Sequence, residues 1–259
     1  MMKVTVCELS DEENDFRHDW NDLADHVDRN QPDLLLLPEM PFGRWIATEK
    51  DVNSTAKQEF VRKHEQWLVE MEQLNVPSVV YSRPVIQDNK FFNTAYLFEK
   101  GGGHKKLHTK ALFPEEPGFW EQSWFDREEA ISYDVTCMGE IKIGVLLCTE
   151  MWFTQYARQY GTQGADLLLC PRATGKESTE KWIRCGQTLA VISGAWCLSS
   201  NRAGSGAGGF AWGGAGWIAE PVTGKLAGQT TSDQNFLTVE IDIGSSRLAK
   251  TEYPLYVRE

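Results

Sequence analysis

The sequence predicts an α/β fold built in layers, on three observations. Short continuous apolar runs such as Leu34 to Leu37 alternate with stretches whose apolar residues recur at helical spacing, the pattern of strands and helices stacked on one another. The 259 residues are 41% hydrophobic and 24% charged with no low-complexity tract, which allows a large core and argues against disorder. Three reactive side chains, Glu39, Lys110 and Cys148, each follow directly on a candidate strand, and chemistry in α/β sheets gathers at strand ends.

Residues 2–7 read as the first strand. Over 11–29, Phe16, Trp20, Leu23, Ala24 and Val27 fall on one helical face. Leu34 to Leu37, closed by Pro38, suits a strand covered on both sides. A helix is expected over 54–74 and a strand over Ser78 to Tyr81. Asn93–Phe98 and Lys105–Thr109 read as a hairpin around Gly101, Gly102 and Gly103. Leu112 to Phe125 is a loop rich in proline and aromatics. Ile141 to Leu147 is a strand running into Cys148, followed by a helix over 151–163, a strand over Ala165 to Leu169 and a helix over 178–193. Trp196–Ser200, Phe210–Ala219, Leu226–Ala227 and Phe236–Ile241 complete the strands, with a turn at Thr223-Gly224. No linker interrupts this order, so one domain over 1–259 is expected.

Bulk properties narrow the function. A net charge of −11 with no dense basic stripe argues against nucleic acid. No segment approaches the ~20 apolar residues of a membrane span, and the N-terminus lacks a signal-peptide core. A cytoplasmic location is expected. Six cysteines in such a chain are expected as reduced thiols, and without a Cys-x-x-Cys pair no structural zinc is expected.

Each chemical group has an ordinary reading beside the catalytic one. Cys148, between a strand and a helix start, has partial positive charge ahead of it to lower a thiol pKa; a buried structural cysteine is the alternative. Glu39, behind an apolar run, has the setting of a general base or of a solvated loop cap. Lys110 is an oxyanion stabiliser or a surface lysine beside Lys105 and Lys106.

Taken together, LLLLPEM around Glu39, HTKALFPEEPGFWE after Lys110 and GVLLCTEMWF around Cys148 resemble the nitrilase superfamily of carbon–nitrogen hydrolases. GADLLLCPRAT, CGQTLAVISGAWCLSSNRAG and GWIAEPVTGKLAG extend the likeness over nearly the whole chain. The resemblance implies a four-layer αββα sandwich, pairing into a homodimer or larger oligomer, and no metal or organic cofactor. It implies a Glu39–Lys110–Cys148 triad, with the backbone N–H of Thr149 assisting Lys110 at the oxyanion. A second glutamate in the loop after the lysine is assigned to Glu121, with Glu115 and Glu116 as competitors. The implied reaction is hydrolysis of a small amide or N-carbamoyl compound through a thioester; nitrile hydrolysis and acyl transfer are the alternatives. Glu150 matches the acidic residue that many amidases carry two places after the cysteine. Phe153 departs from their Phe-Pro-Glu in being followed by Thr154-Gln155, and Cys148-Thr149-Glu150 departs from the Cys-Trp-Glu of nitrilases.

Other residues stand beside this set. Arg172 either grips a substrate carboxylate, as its planar fork allows, or sits in a structural salt bridge. Trp45, Trp120, Trp124 and Trp152 lie near the triad in sequence; Trp120 and Trp152 are candidates to line a substrate pocket, against the usual fate of Trp in a core or interface. Residues 204–209 match Gly-x-Gly-x-x-Gly, but no helix pattern follows, which argues against a dinucleotide site. All five histidines precede Cys148, against a papain-like Cys–His pair.

Overall fold

The computed structural model describes residues 1–257. Strand β1 (Met2–Ser10) leads into helix α1 (Glu13–Asn30), which buries Phe16, Trp20, Leu23 and Val27 and ends at Gln31 in the left-handed region. Strand β2 (Leu34–Leu36) follows. Helix α2 (Ser54–Gln73) is capped by the Asn53 side chain, which accepts from the N–H groups of Thr55 and Ala56. This satisfies donors that a helix start leaves open.

Strands β3 (Ser78–Gln87) and β4 (Lys90–Glu99) are longer than the sequence indicates and form a hairpin. Asp88 and Asn89, both at positive φ, make its two-residue turn, the geometry that matches strand twist. Strand β5 (Gly103–Thr109) pairs with β4 around the predicted glycines. Helix α3 (Glu121–Trp124) lies within the expected loop. Strands β6 (Thr136–Met138) and β7 (Ile141–Val145) precede the nucleophile segment, and helix α4 (Thr154–Thr162) follows it. Then come β8 (Leu167–Arg172), α5 (Thr179–Ser193), β9 (Trp196–Ala203), β10 (Trp217–Ala219), β11 (Leu226–Gln229), β12 (Phe236–Ile241) and α6 (Ile243–Ala249).

The twelve strands are hydrogen-bonded in the order β5-β4-β3-β2-β1-β9-β8-β7-β6, with β12 on β1, β10 on β9 and β11 on β10. Strand β1 belongs to both halves. Its residues 2–7 pair with β12 and β2, while Glu8 to Ser10 pair with β9. The halves therefore face each other across a core of Val4, Val6, Leu36, Val80, Leu97, Val145, Leu147, Leu169 and Leu198. Alternation along each strand covers the outer faces. Leu35 and Leu37 turn to α1 and α2, and Leu168 and Cys170 turn to α5. Helix, sheet, sheet, helix is the expected αββα sandwich. Among the described residues no helix is long and apolar enough to cross a membrane.

The expected strand over Phe210–Ala219 forms only at Trp217–Ala219. Gly214 and Ala215 have positive φ, which a strand cannot accommodate. Buried Glu8 holds them there by accepting from Ala215 N–H at 2.8 Å, and a Cβ on Gly214 would lie 2.1 Å from Glu8 Oε2. The Gly-rich 204–209 stretch carries only a 3₁₀ turn at Ala207–Gly209.

Candidate active site

The site sits where β2, β5, β7 and β8 end. Glu39 follows β2 and Pro38. Its N–H donates to Arg172 O at 3.2 Å, and its carbonyl accepts from Arg202 Nε at 3.1 Å. Arg202 is itself buried against Asp11 and the Met40 carbonyl. The backbone of Glu39 is thus fixed on both sides before its side chain enters the site.

Lys110 follows β5, with its N–H on Asn93 O at 2.9 Å. Its Nζ donates to Glu39 Oε1 at 2.8 Å and to Glu121 Oε2 at 2.6 Å, with all three side chains buried. Glu39 Oε1 also accepts from Asn93 Nδ2 at 2.7 Å. Glu39 Oε2 and Asn93 Oδ1 are buried with no hydrogen-bond partner among the described residues. Of the competing glutamates, Glu115 accepts instead from Ser123 N–H and Oγ, and Glu116 lies on the cavity wall.

Cys148 opens a five-residue 3₁₀ turn, Cys148–Trp152, rather than an α-helix, and takes φ of 49°. That region disfavours a residue with a Cβ and costs about 1–3 kcal/mol unless neighbours impose it. Sγ lies 3.8 Å from Ala173 O. The predicted lowering of the thiol pKa does not hold in this state. Burial and the Glu39 charge push the thiol well up, and Lys110 pulls the other way. A short 3₁₀ turn supplies too little positive charge to reverse that.

One ammonium shared by two buried carboxylates leaves a net negative charge. Burial, opposed by Lys110 and reinforced by Glu39, pushes Glu121 up to about 8. Burial disfavours the Lys110 ammonium, but Glu121, Glu39 and Cys148 together raise its pKa. Lys110 therefore stays charged, and the cluster can hold one extra proton near neutral pH.

A cavity of about 220 Å³ reaches this cluster, lined by Cys148, Thr149, Glu121, Phe119, Trp152 and Trp182, with Glu116 and Lys181 among its charged residues. Thr149 and Trp152 are thus on the cavity wall. Trp120 is not: it lies off this cavity, with Lys50 Nζ 5.3 Å from its ring and its N–H on Ala47 O. Trp45 and Trp124 pack in the aromatic cluster around Met40.

Arg172 fits neither expectation. It is fully buried off the cavity, donating to Ser199 Oγ at 2.6 Å, Thr174 Oγ1 at 3.0 Å and Ala215 O at 2.7 Å, beneath the Trp217 ring. Three of its five N–H groups are taken by neutral oxygens, and the side chain is buried away from the cavity, out of reach of a substrate carboxylate there. Burial pushes its guanidinium down to about 10.

Sequence reading missed Asn93, Arg202 and the His108–Glu150 pair. Asn93 lies mid-strand in Phe91-Phe92-Asn93-Thr94, and a polar residue inside an apolar run was the available signal. Among the described residues no group of three or more His, Cys, Asp or Glu is placed to hold a metal.

A family model for carbon–nitrogen hydrolases matches residues 3–251. The chain belongs to the carbon–nitrogen hydrolase family. It is a hydrolase of carbon–nitrogen bonds other than peptide bonds. A citrullinase from Francisella tularensis is 25% identical over 78% of this chain and 74% of that protein. An N-carbamoylputrescine amidase from Solanum tuberosum is 30% identical over 45% of this chain and 41% of that protein. A carbon–nitrogen hydrolase from Helicobacter pylori G27 superposes with a TM-score of 0.86 at 19% identity, covering 98% of this chain and 94% of the other. Amidases of the nitrilase superfamily are also among the structural neighbours. At this identity the superpositions establish the fold.

Proposed function

We propose that this hydrolase cleaves small amides or N-carbamoyl compounds through a thioester on Cys148, with Glu39 as general base and Lys110 as oxyanion stabiliser. The observation that carries the reading is the buried Glu39–Lys110–Glu121 cluster, whose Glu121 lines the same cavity as the buried Cys148 thiol. The names of the citrullinase and carbamoylputrescine amidase relatives favour a ureido or amide carbonyl.

The steps follow from the groups. The unpartnered Oε2 of Glu39 takes the Sγ proton as sulfur attacks the carbonyl, so the costly buried thiolate never accumulates. Lys110 and the Thr149 N–H stabilise the oxyanion; a preorganised donor of this kind is often worth about 3 kcal/mol. Glu39 returns the proton to the departing amine. It then deprotonates a water that hydrolyses the thioester. Glu121 holds Lys110 in place throughout. One domain suffices for this chemistry, and we take the working unit to be a homodimer.

The test follows ammonia release from amides, N-carbamoyl amines and nitriles, with mass analysis of the Cys148 peptide. Wild type should release ammonia from amide or carbamoyl substrates and carry a transient acyl adduct. Cys148→Ala should lose both, and turnover surviving in that variant would refute the reading. Release only from nitriles, or product formed only with an added acceptor amine, would replace amide hydrolysis by those reactions.

A further inference from the structure

We infer that Glu150 is a positioning residue that registers the Cys148 turn against the Lys110 segment. Glu150 is fully buried and does not line the cavity. Its Oε1 accepts from Ala111 N–H at 2.8 Å, from Tyr133 Oη at 3.1 Å and from His108 Nε2 at 3.0 Å. Its Oε2 accepts from Leu147 N–H at 2.9 Å and from His108 Nε2 at 2.8 Å. Ala111 follows Lys110 directly, and Leu147 precedes Cys148 directly. One carboxylate therefore bonds the backbone beside both groups.

The sheet cannot do this. β5, which leads to Lys110, ends the strand order on one side, and β7, which leads to Cys148, lies next to the end on the other. The two strands face each other across the sandwich with no ladder between them. Side chains must set their register, and Glu150 spans the gap. The bond to Leu147 also braces the backbone next to the positive φ of Cys148, where relaxation would swing Sγ away.

His108 strengthens the clamp. It lies on β5 two residues before Lys110, on the same face. Its Nδ1 faces Ser132 O at 3.1 Å and its Nε2 faces the Glu150 carboxylate. Both partners accept, so both ring nitrogens donate and the ring is an imidazolium paired with Glu150. A charged acceptor holds such donors more firmly than a neutral one.

This inference rests on reading Cys148 and Lys110 as the reacting pair. Its test is Glu150→Gln and Glu150→Asp, assayed for kcat, KM, melting temperature and the rate at which iodoacetamide alkylates the Cys148 peptide. Glutamine turns an N–H₂ toward backbone N–H groups. Aspartate keeps the charge but is too short to span both segments. A displacement of about 1 Å between reacting groups costs on the order of 100-fold in rate. Both variants should therefore lose about 100-fold in kcat with KM changed by no more than about threefold, and Cys148 alkylation should slow. A folded variant of either kind with wild-type kcat and alkylation, changed only in melting temperature, would overturn the inference. If Glu150→Gln fails to fold, Glu150→Asp decides. If wild type turns over no amide, the function proposed above fails, while the alkylation rate still reports on Glu150.

Discussion

Asn93 donates its side-chain N–H to Glu39 Oε1 at 2.7 Å, the same oxygen that accepts Lys110. The base is thereby held through one oxygen, and the other stays unpartnered. This bond crosses from β4 to the end of β2, strands that β3 separates. Asn93→Ala should leave Glu39 held by Lys110 alone and lower kcat by about 10- to 100-fold, by analogy with outer-shell groups that orient catalytic ligands. Steady-state kinetics on any turned-over amide would check this. A loss confined to KM would mean that Asn93 acts on substrate binding instead.

Arg172 and Lys181 divide the work that the sequence assigns to Arg172 alone. Arg172→Ala would strand Ser199, Thr174 and Ala215 acceptors in the core. Expected is a loss of at least about 2 kcal/mol in stability, with turnover of acidic and neutral amides falling alike. Lys181 lines the cavity with its Nζ 5.5 Å from the Trp152 ring. Lys181→Ala should raise KM for amides bearing a carboxylate while leaving neutral amides near wild type. Comparing KM for an acidic and a neutral amide in both variants decides the assignment. A carboxylate-selective effect in Arg172→Ala would contradict it.

These cases show what was legible in the sequence. Glu39, Lys110 and Cys148 were singled out because the strings around them together resemble one family; strand-end position alone left an ordinary reading open for each. The layers were legible from apolar runs: Leu34 to Leu37 and Leu167 to Leu169 serve both faces of buried strands. Asn93 and Arg202 were not, and Glu150 was noted without its role, because these roles depend on partners across the sandwich, which no periodicity encodes. Trp120 and Arg172 misled because closeness in sequence to a site does not set side-chain direction. Phe210–Ala219 looks like a strand locally, yet Glu8, some two hundred residues earlier, bends it.

The proton held at Glu121 predicts a pH-dependent stability. Its carboxyl is pushed from 4.5 up to about 8. A group that binds its proton more tightly when folded adds stability that is full below about 4.5 and is lost as pH rises to about 8. His108 acts in the same sense: its pKa is raised from 6.5 because Glu150 outweighs burial, so its share is lost as pH rises through that raised value. Glu150, lowered from 4.5 by His108 and backbone donors against burial, contributes oppositely, at the acid end. Burial lowers His64 from 6.5 to about 3, so its share rises with pH up to about 6.5; melting temperature should therefore fall from about pH 6.5 toward pH 8, and Glu121→Gln should flatten that fall. Melts across this range would show it. An equally steep decline in the glutamine variant would place the titrating group elsewhere.

Packing beneath the site sets the last prediction. Gly186 on α5 lets the fully buried Trp217 ring approach the helix backbone; a Cβ there would lie 2.0 Å from the indole. The Arg172 guanidinium also packs against the ring, 5.6 Å from its centroid. Neither a helix backbone nor an indole can yield by rotating one bond, so Gly186→Ala must push α5 away from β10. Overpacking of this kind costs about 1–3 kcal/mol, against a gain in helix propensity of up to about 1 kcal/mol for replacing glycine. Destabilisation should win, lowering the melting temperature by about 2–4 °C for each kcal/mol lost in a chain of this size. A second change, Trp217→Phe, should recover part of that loss in the Gly186→Ala background while destabilising the wild type. If the two substitutions simply add, the helix is not resting on the indole and this account of the packing is wrong.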